Sequence, residues 1–92
     1  MNIEHEESDG AGSFFIAEDG ERLAELTYRS SGDRMTINHT EVDEKFRGEG
    51  VGRDLVAKAV SFARKNDLKI TPTCTYARKV IEDTAEFKDI LA

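Results

Sequence analysis

The apolar pattern of this chain first changes period at a run of glycines. From Arg22 to Val42 apolar residues alternate with polar ones, and from Val51 they recur at helical spacing; between lies Arg47-Gly48-Glu49-Gly50-Val51-Gly52. Alternation puts every second side chain on one face of a strand, whereas recurrence every three to four residues marks a helix with one buried side. Such a chain folds as a sheet built mainly from its first half with a helix laid against it. The glycines sit at the joint and strip side chains from a helix start, where unpaired N–H groups point outward beside a partial positive charge. That combination cradles an anion, and a phosphate or pyrophosphate is its natural guest.

Ser13 to Ala17 reads as a strand, followed by the turn Glu18-Asp19-Gly20-Glu21. Arg22 to Arg29 alternates, with Ala24, Leu26 and Tyr28 on one side and Leu23, Glu25 and Thr27 on the other. After the turn Ser30-Ser31-Gly32-Asp33 a third strand runs from Arg34 to Val42, with Met35, Ile37 and His39 expected to face one way. Residues 3–7 supply an edge strand, and the short turns make an antiparallel meander. Val51, Leu55, Val56, Ala59, Val60 and Ala63 share one face of a helix from Val51 to about Asn66. Arg64 and Lys65 suit its negative end, and Asn66 is expected to take the left-handed conformation there. Leu68 to Thr71 is a strand ended by Pro72, residues 75–83 carry helical signal, and residues 86–91 form a last helical turn. The fold class is α/β in the α+β sense, ordered β-β-β(-β)-α-β-α. A right-handed crossover through the long helix makes its two flanking strands parallel neighbours.

Ninety-two residues fit one domain over 1–92. With 19 acidic against 13 basic residues, the net charge of −6 argues against general nucleic-acid binding and tolerates cationic amines, though keeping a small domain soluble is its plainer reading. No apolar run approaches the roughly 20 residues of a membrane span, so no membrane partner is expected. The acidic start, Met1-Asn2-Ile3-Glu4-His5-Glu6-Glu7, lacks the basic and apolar regions of a signal peptide, and a cytoplasmic location follows as the expectation. The lone cysteine, Cys74, permits no internal disulfide. His5, His39 and Cys74 lack the close spacing of metal ligands, so no metal site is expected.

Three phosphate loops can be compared with residues 47–52. A Walker loop needs Lys-Ser/Thr after its last glycine, but Arg53-Asp54 follows Gly52. A dinucleotide fingerprint needs its third glycine where Arg53 stands, and no further strand–helix units complete that fold. The third pattern, Arg/Gln-x-x-Gly-x-Gly/Ala, is met at every defined position. With His39-Thr40-Glu41-Val42 before the loop and Pro72-Thr73-Cys74-Thr75-Tyr76 after the next strand, roughly residues 13–91 resemble the GNAT superfamily of acetyl-CoA-dependent N-acetyltransferases, in a minimal single-domain form with a cysteine in the active site.

The resemblance implies that acetyl-CoA or coenzyme A binds with its pyrophosphate on the amides of Arg47, Gly48, Glu49, Gly50, Val51 and Gly52. The two parallel strands splay apart, and the pantetheine arm pairs with the backbone up to Val42. Arg53 is either a further phosphate contact or a solvated side chain, and Arg47 either touches phosphate or caps neighbouring carbonyls. The implied activity moves an acetyl group to an amine, on a small molecule or a protein lysine. An acyl-CoA-binding or sensing module without turnover is the other reading, and a scaffold with a vestigial loop a third. Larger relatives carry acceptor-binding helices where this chain has only Glu7 to Gly12, so the acceptor side is open, or is completed by a second subunit or the acceptor; a monomer or weak homodimer is expected.

Cys74 stands where the resemblance puts the acetyl thioester. A nearby helix start lowers a thiol pKa, so Cys74 can accept the acetyl group or protonate the leaving sulfur; otherwise it is a small buried hydrophobe. His39 is by alternation a core residue, and by the resemblance a base or orienter beside the cysteine. Glu41 is a candidate carboxylate base, expected to point away from His39 unless a bulge intervenes. Tyr76 serves packing or acts as leaving-group acid, and His5 is a surface residue.

Overall fold

The computed structural model describes residues 2–92. Strands β1 (Glu4–Ser8), β2 (Ala11–Glu18), β3 (Glu21–Ser31), β4 (Arg34–Val42) and β5 (Lys69–Pro72) form one sheet in chain order. The first four pair antiparallel and β4 pairs parallel with β5, as the crossover requires. Helix α1 (Val51–Lys65) links β4 to β5, and α2 (Thr75–Asp83) follows β5. Short 3-10 turns cover Glu44–Phe46 and Ala85–Ile90.

Two Asp-Gly pairs make the tight hairpins. Asp19 and Gly20 both have positive φ (53° and 81°), as do Asp9 and Gly10 (52° and 77°), the conformation of two-residue turns whose twist matches the strands. The second pair joins β1 directly to β2, in the stretch where larger relatives were expected to carry helices.

The helices lie on one face of the sheet. Leu55, Val56, Ala59, Val60 and Ala63 of α1 are buried against Leu26, Tyr28, Met35, Ile37 and Ile70, so the helical stripe read in the sequence is the core seam. Burying each Leu or Ile there contributes about 1.5–3 kcal/mol. The C-terminus of α1 departs from expectation. Asn66 is the cap residue with φ −108°, and Asp67 takes the left-handed conformation with φ 55°. The Leu68 amide donates to the Ala63 carbonyl (2.8 Å) and the Asp67 amide to the Arg64 carbonyl (3.4 Å), the paired bonds of a Schellman turn. In that turn the left-handed residue is the one after the cap, which displaces the role from Asn66 to Asp67.

Strand β4 holds the irregularity that shapes the site. Opposite β3, Tyr28 pairs with Ile37 but Thr27 pairs with His39, so Asn38 is an extra residue on β4. Before the bulge Met35 and Ile37 are buried; after it Thr40 and Val42 pair with the buried Leu26 and Ala24. His39 is exposed. Its expected place beside Met35 and Ile37 is therefore corrected: one inserted residue inverts the alternation. No helix among the described residues is long and apolar enough to cross a membrane.

Candidate active site

Pairing between β4 and β5 ends at Ile37 and Pro72. The Ile37 carbonyl there accepts from the Thr73 amide (3.0 Å), the Cys74 amide (3.2 Å) and the Thr73 hydroxyl (3.3 Å). Beyond it the two strands part, and residues 38–42 pair with β3 alone. The free side of that segment is a strand edge, able to hydrogen-bond an extended chain laid beside it.

Cys74 stands at the point of parting, as the N-cap residue of α2, with extended φ and ψ of −80° and 125°. Its Sγ lies 3.6 Å from the Thr40 hydroxyl, a long sulfur hydrogen bond across the gap. Burial pushes the thiol up, but the Ala77 amide, the Thr40 hydroxyl and the Tyr76 amide outweigh it and hold Cys74 below the ordinary thiol value. No cap bond of good geometry runs from the side chain, yet the Ala77 and Tyr76 amides at the helix start lie near enough to the sulfur to favour its thiolate. The half-buried sulfur is thus biased toward thiolate, unlike an inert core cysteine.

His39 and Glu41 lie together on the opposite face of β4, with Nε2 and Oε2 3.9 Å apart. Glu41 does not point away from His39, because residues two apart on a strand share a face once both lie past the bulge. The structure brings Cys74 to Thr40 and His39 to Glu41, and keeps the two pairs on different sides of the strand.

The glycine loop meets α1 as expected. Gly48 and Gly50 have φ of 80° and 73°, and a side-chain carbon added at either would touch nothing within 4 Å. Gly50 is the helix cap and brings no side chain, and the first bond into the helix runs from the Asp54 amide to its carbonyl (3.0 Å). The amides of Val51, Gly52 and Arg53 precede that bond and so have no partner within the helix. Arg53, in the first turn of the helix, is exposed. Arg47 is instead committed to the Glu44 carboxylate at 3.3 Å, not to the neighbouring carbonyls. Gly52 differs from the other two. A carbon added there would meet the Tyr76 hydroxyl at 2.5 Å, so this glycine makes room for the α2 tyrosine at the helix start. Tyr76 is 44% exposed, its ring poised over the loop.

Sequence reasoning passed over Thr40 as a functional residue and left the Gly52–Tyr76 contact unread. Alternation alone places Thr40 outside, and only the cross-strand register discloses the bulge that turns it inward. Among the described residues no three His, Cys, Asp or Glu side chains converge to hold a metal ion.

A free strand edge, a glycine loop opening a helix, and parallel strands that part define an acyl-CoA fold, and the chain belongs to the GCN5-related N-acetyl-transferase family, whose profile matches residues 13–90. Members of this family take the acyl group from acetyl-CoA. Protein NATD1 of Gallus gallus and of Mus musculus is 36% identical over 61 residues, covering 65% of this chain; the chain thus spans 56% of the length of those relatives. A solved GCN5-like N-acetyltransferase candidate from Staphylococcus aureus superimposes with a TM-score of 0.74 at 32% identity, covering 99% of this chain and 89% of that one. The ribosomal-protein-S18-alanine N-acetyltransferase of Escherichia coli shares the fold at TM-score 0.68 and 17% identity, over 84% of this chain and 53% of its own.

Proposed function

We propose that residues 1–92 form a single acetyl-CoA-dependent N-acetyltransferase domain that delivers the acetyl group to an amine, with Cys74 at the reacting centre. One observation carries this reading: the thiol sits where β4 and β5 part, at the start of α2, and is held below the ordinary thiol value. Acetyl-CoA, when bound, supplies an activated thioester. The Gly48, Gly50, Val51, Gly52 and Arg53 backbone holds its pyrophosphate, with Arg53 adding charge, and the free edge of β4 through Val42 receives the pantetheine arm. Arg47 and Glu49 shape the loop from its exposed side.

A Cys74 thiolate attacks the acetyl carbon, and the departing sulfur takes the proton that the thiol gave up. The acceptor amine then takes the acetyl group from Cys74, loses a proton and regenerates the thiol. That amine proton goes to the departing Cys74 sulfur, since His39, with Glu41 beside it, stands on the opposite face of β4. Tyr76 packs over Gly52 and presents its hydroxyl to the loop. The acceptor enters from the sheet face that no helix covers, which suits a small amine or an exposed lysine.

The test compares Cys74→Ala and Cys74→Ser with wild type for acetyl-CoA binding and for transfer to a panel of amines. Binding is expected to survive in both, with transfer lowered about 100-fold or more, the scale on which an essential nucleophile or acid acts. An acetyl adduct on Cys74, seen by mass spectrometry after incubation with acetyl-CoA, supports the covalent route. Unchanged transfer in both variants removes Cys74 from the chemistry. Tight binding without transfer in wild type moves the conclusion to an acyl-CoA-binding module.

A further inference from the structure

The bulge in β4 decides which side chain meets the Cys74 sulfur. Without the extra Asn38, strict alternation from Met35 and Ile37 would carry residue 39 to the helix side and turn residue 40 outward. With it, Thr40 pairs with the buried Leu26 and shares its face, while His39 pairs with Thr27 on the other. We propose that Thr40, and not His39, is the positioning residue for the Cys74 sulfur, brought there by the Asn38 bulge. The proposal rests on the reading of Cys74 as the reacting thiol.

The bulge and the cysteine are tied through one atom. The Ile37 carbonyl, immediately before Asn38, accepts from the Cys74 amide at 3.2 Å, so the strand that bulges also anchors the backbone that carries the sulfur. The Thr27 hydroxyl donates to the Asn38 side-chain oxygen at 2.5 Å, which pins the extra residue to β3. Thr40 then reaches the sulfur from β4 at 3.6 Å, and the amides of α2 reach it from the other side.

A hydroxyl suits this position in both protonation states. Its oxygen accepts from the S–H of the neutral thiol and, after rotating, its hydrogen donates to the thiolate. A threonine holds that hydroxyl better than a serine, because its branched Cβ restricts χ1. The charged groups on the surrounding elements are engaged elsewhere. His39 faces Glu41 on β4, the Arg78 guanidinium of α2 donates to the Pro72 carbonyl at 2.9 Å, and Lys79 pairs with Asp83 at 3.0 Å. Arg53 and Asp54 at the start of α1 are exposed. None of these charges is among the main influences on the thiol, which are burial and hydrogen bonds.

The experiment follows alkylation of Cys74 by iodoacetamide against pH in the full chain without cofactor, where a single cysteine makes the readout unambiguous. Thr40→Val keeps the shape and deletes the oxygen, and is expected to raise the apparent thiol pKa by about 0.5–1 unit, the loss of one hydrogen bond to a thiolate. Thr40→Ser is expected to stay close to wild type, and His39→Gln to leave the thiol titration where it was. Thr40→Ala reads the same loss with less bulk if the valine methyl disturbs folding. A wild-type titration in Thr40→Val or in Thr40→Ala overturns the proposal, as does a rise of similar size in His39→Gln. Since alkylation needs neither cofactor nor acceptor, failure of acetyl transfer by wild type would sink the acetyltransferase reading and leave this result standing, and the two failures are distinguishable.

Discussion

Tyr28 shows how much one side chain can organise away from the reacting centre. It is 1% exposed, yet its hydroxyl lies 2.6 Å from His5 Nε2 and donates to the Glu7 carboxylate at 3.3 Å, so a residue of β3 reaches both neighbours on the edge strand β1. His5 is exposed as expected, but its ring also stacks on Phe14 with centroids 4.2 Å apart, because β1 pairs it with that residue. The role was hidden in the sequence: nothing about a histidine among glutamates says which buried ring it will lie against. Gly12 clears the path, since an added carbon there would run into the phenol and, at 2.8 Å, into the Glu6 carbonyl. Burial and the neighbouring Glu7 charge push the Tyr28 hydroxyl up to about 12. A folded-state value raised above the unfolded one near 10 means stability that is whole below about pH 10 and is lost as pH climbs toward about 12. Chemical denaturation across that window is expected to show wild type losing stability with rising pH and Tyr28→Phe losing less. At neutral pH the same variant is expected to cost about 1 kcal/mol for its hydrogen bonds. Equal alkaline slopes in the two proteins would mean that Tyr28 ionises as freely folded as unfolded.

At the scale of elements, much was legible because the signals are local. The change of period located α1 to within a residue of its end, Asp19-Gly20 announced its hairpin, and the glycines marked the joint between β4 and α1. What stayed hidden depends on register. The Asn38 bulge exists only in the pairing of β4 with β3, so His39 was set on the wrong face and Thr40 overlooked. Likewise the three glycines read alike in sequence, although Gly48 and Gly50 serve a backbone conformation and Gly52 serves the Tyr76 ring. This difference gives a matched test of the cradle. Gly50→Ala and Gly50→Glu share the strain of a side chain at φ 73°, about 1–2 kcal/mol, so both are expected to lose similar stability. Only the glutamate adds a carboxylate where the proposed site brings phosphate. Calorimetry is expected to show modest weakening of coenzyme A binding in the alanine variant and at least a tenfold greater weakening in the glutamate variant, about 1.4 kcal/mol or more. Equal affinities would move the pyrophosphate away from this loop.

As a whole the molecule is a two-layer structure with its helices on one side and a polar sheet face on the other. That face closes over its few buried groups with charge: the Arg22 guanidinium lies 3.8 Å from the centre of the Phe15 ring, donates to Ser13, and pairs with Glu6 at 2.7 Å and Glu25 at 2.5 Å. A domain this small buries a limited apolar surface, so its own stability is modest and a ligand that spans several elements weighs heavily against it. Acetyl-CoA on the α1 loop and along β4 would bridge the segments before and after the strand–helix joint, and binding to the folded state alone stabilises by about 2.7 kcal/mol at a ligand concentration of 100 Kd. For a chain of 92 residues each kcal/mol shifts Tm by about 4–8 °C, so saturation is expected to raise Tm by about 10–20 °C. The shift should grow with the logarithm of acetyl-CoA concentration, shrink in Gly50→Glu and persist in Cys74→Ala, because the proposed site puts the sulfur at the reacting end and the phosphates on the loop. A Tm that ignores acetyl-CoA at millimolar concentration would mean the fold has kept its cradle without using it. A shift lost in Cys74→Ala but kept in Gly50→Glu would place the binding energy at the thiol, reversing the division of labour argued for this site.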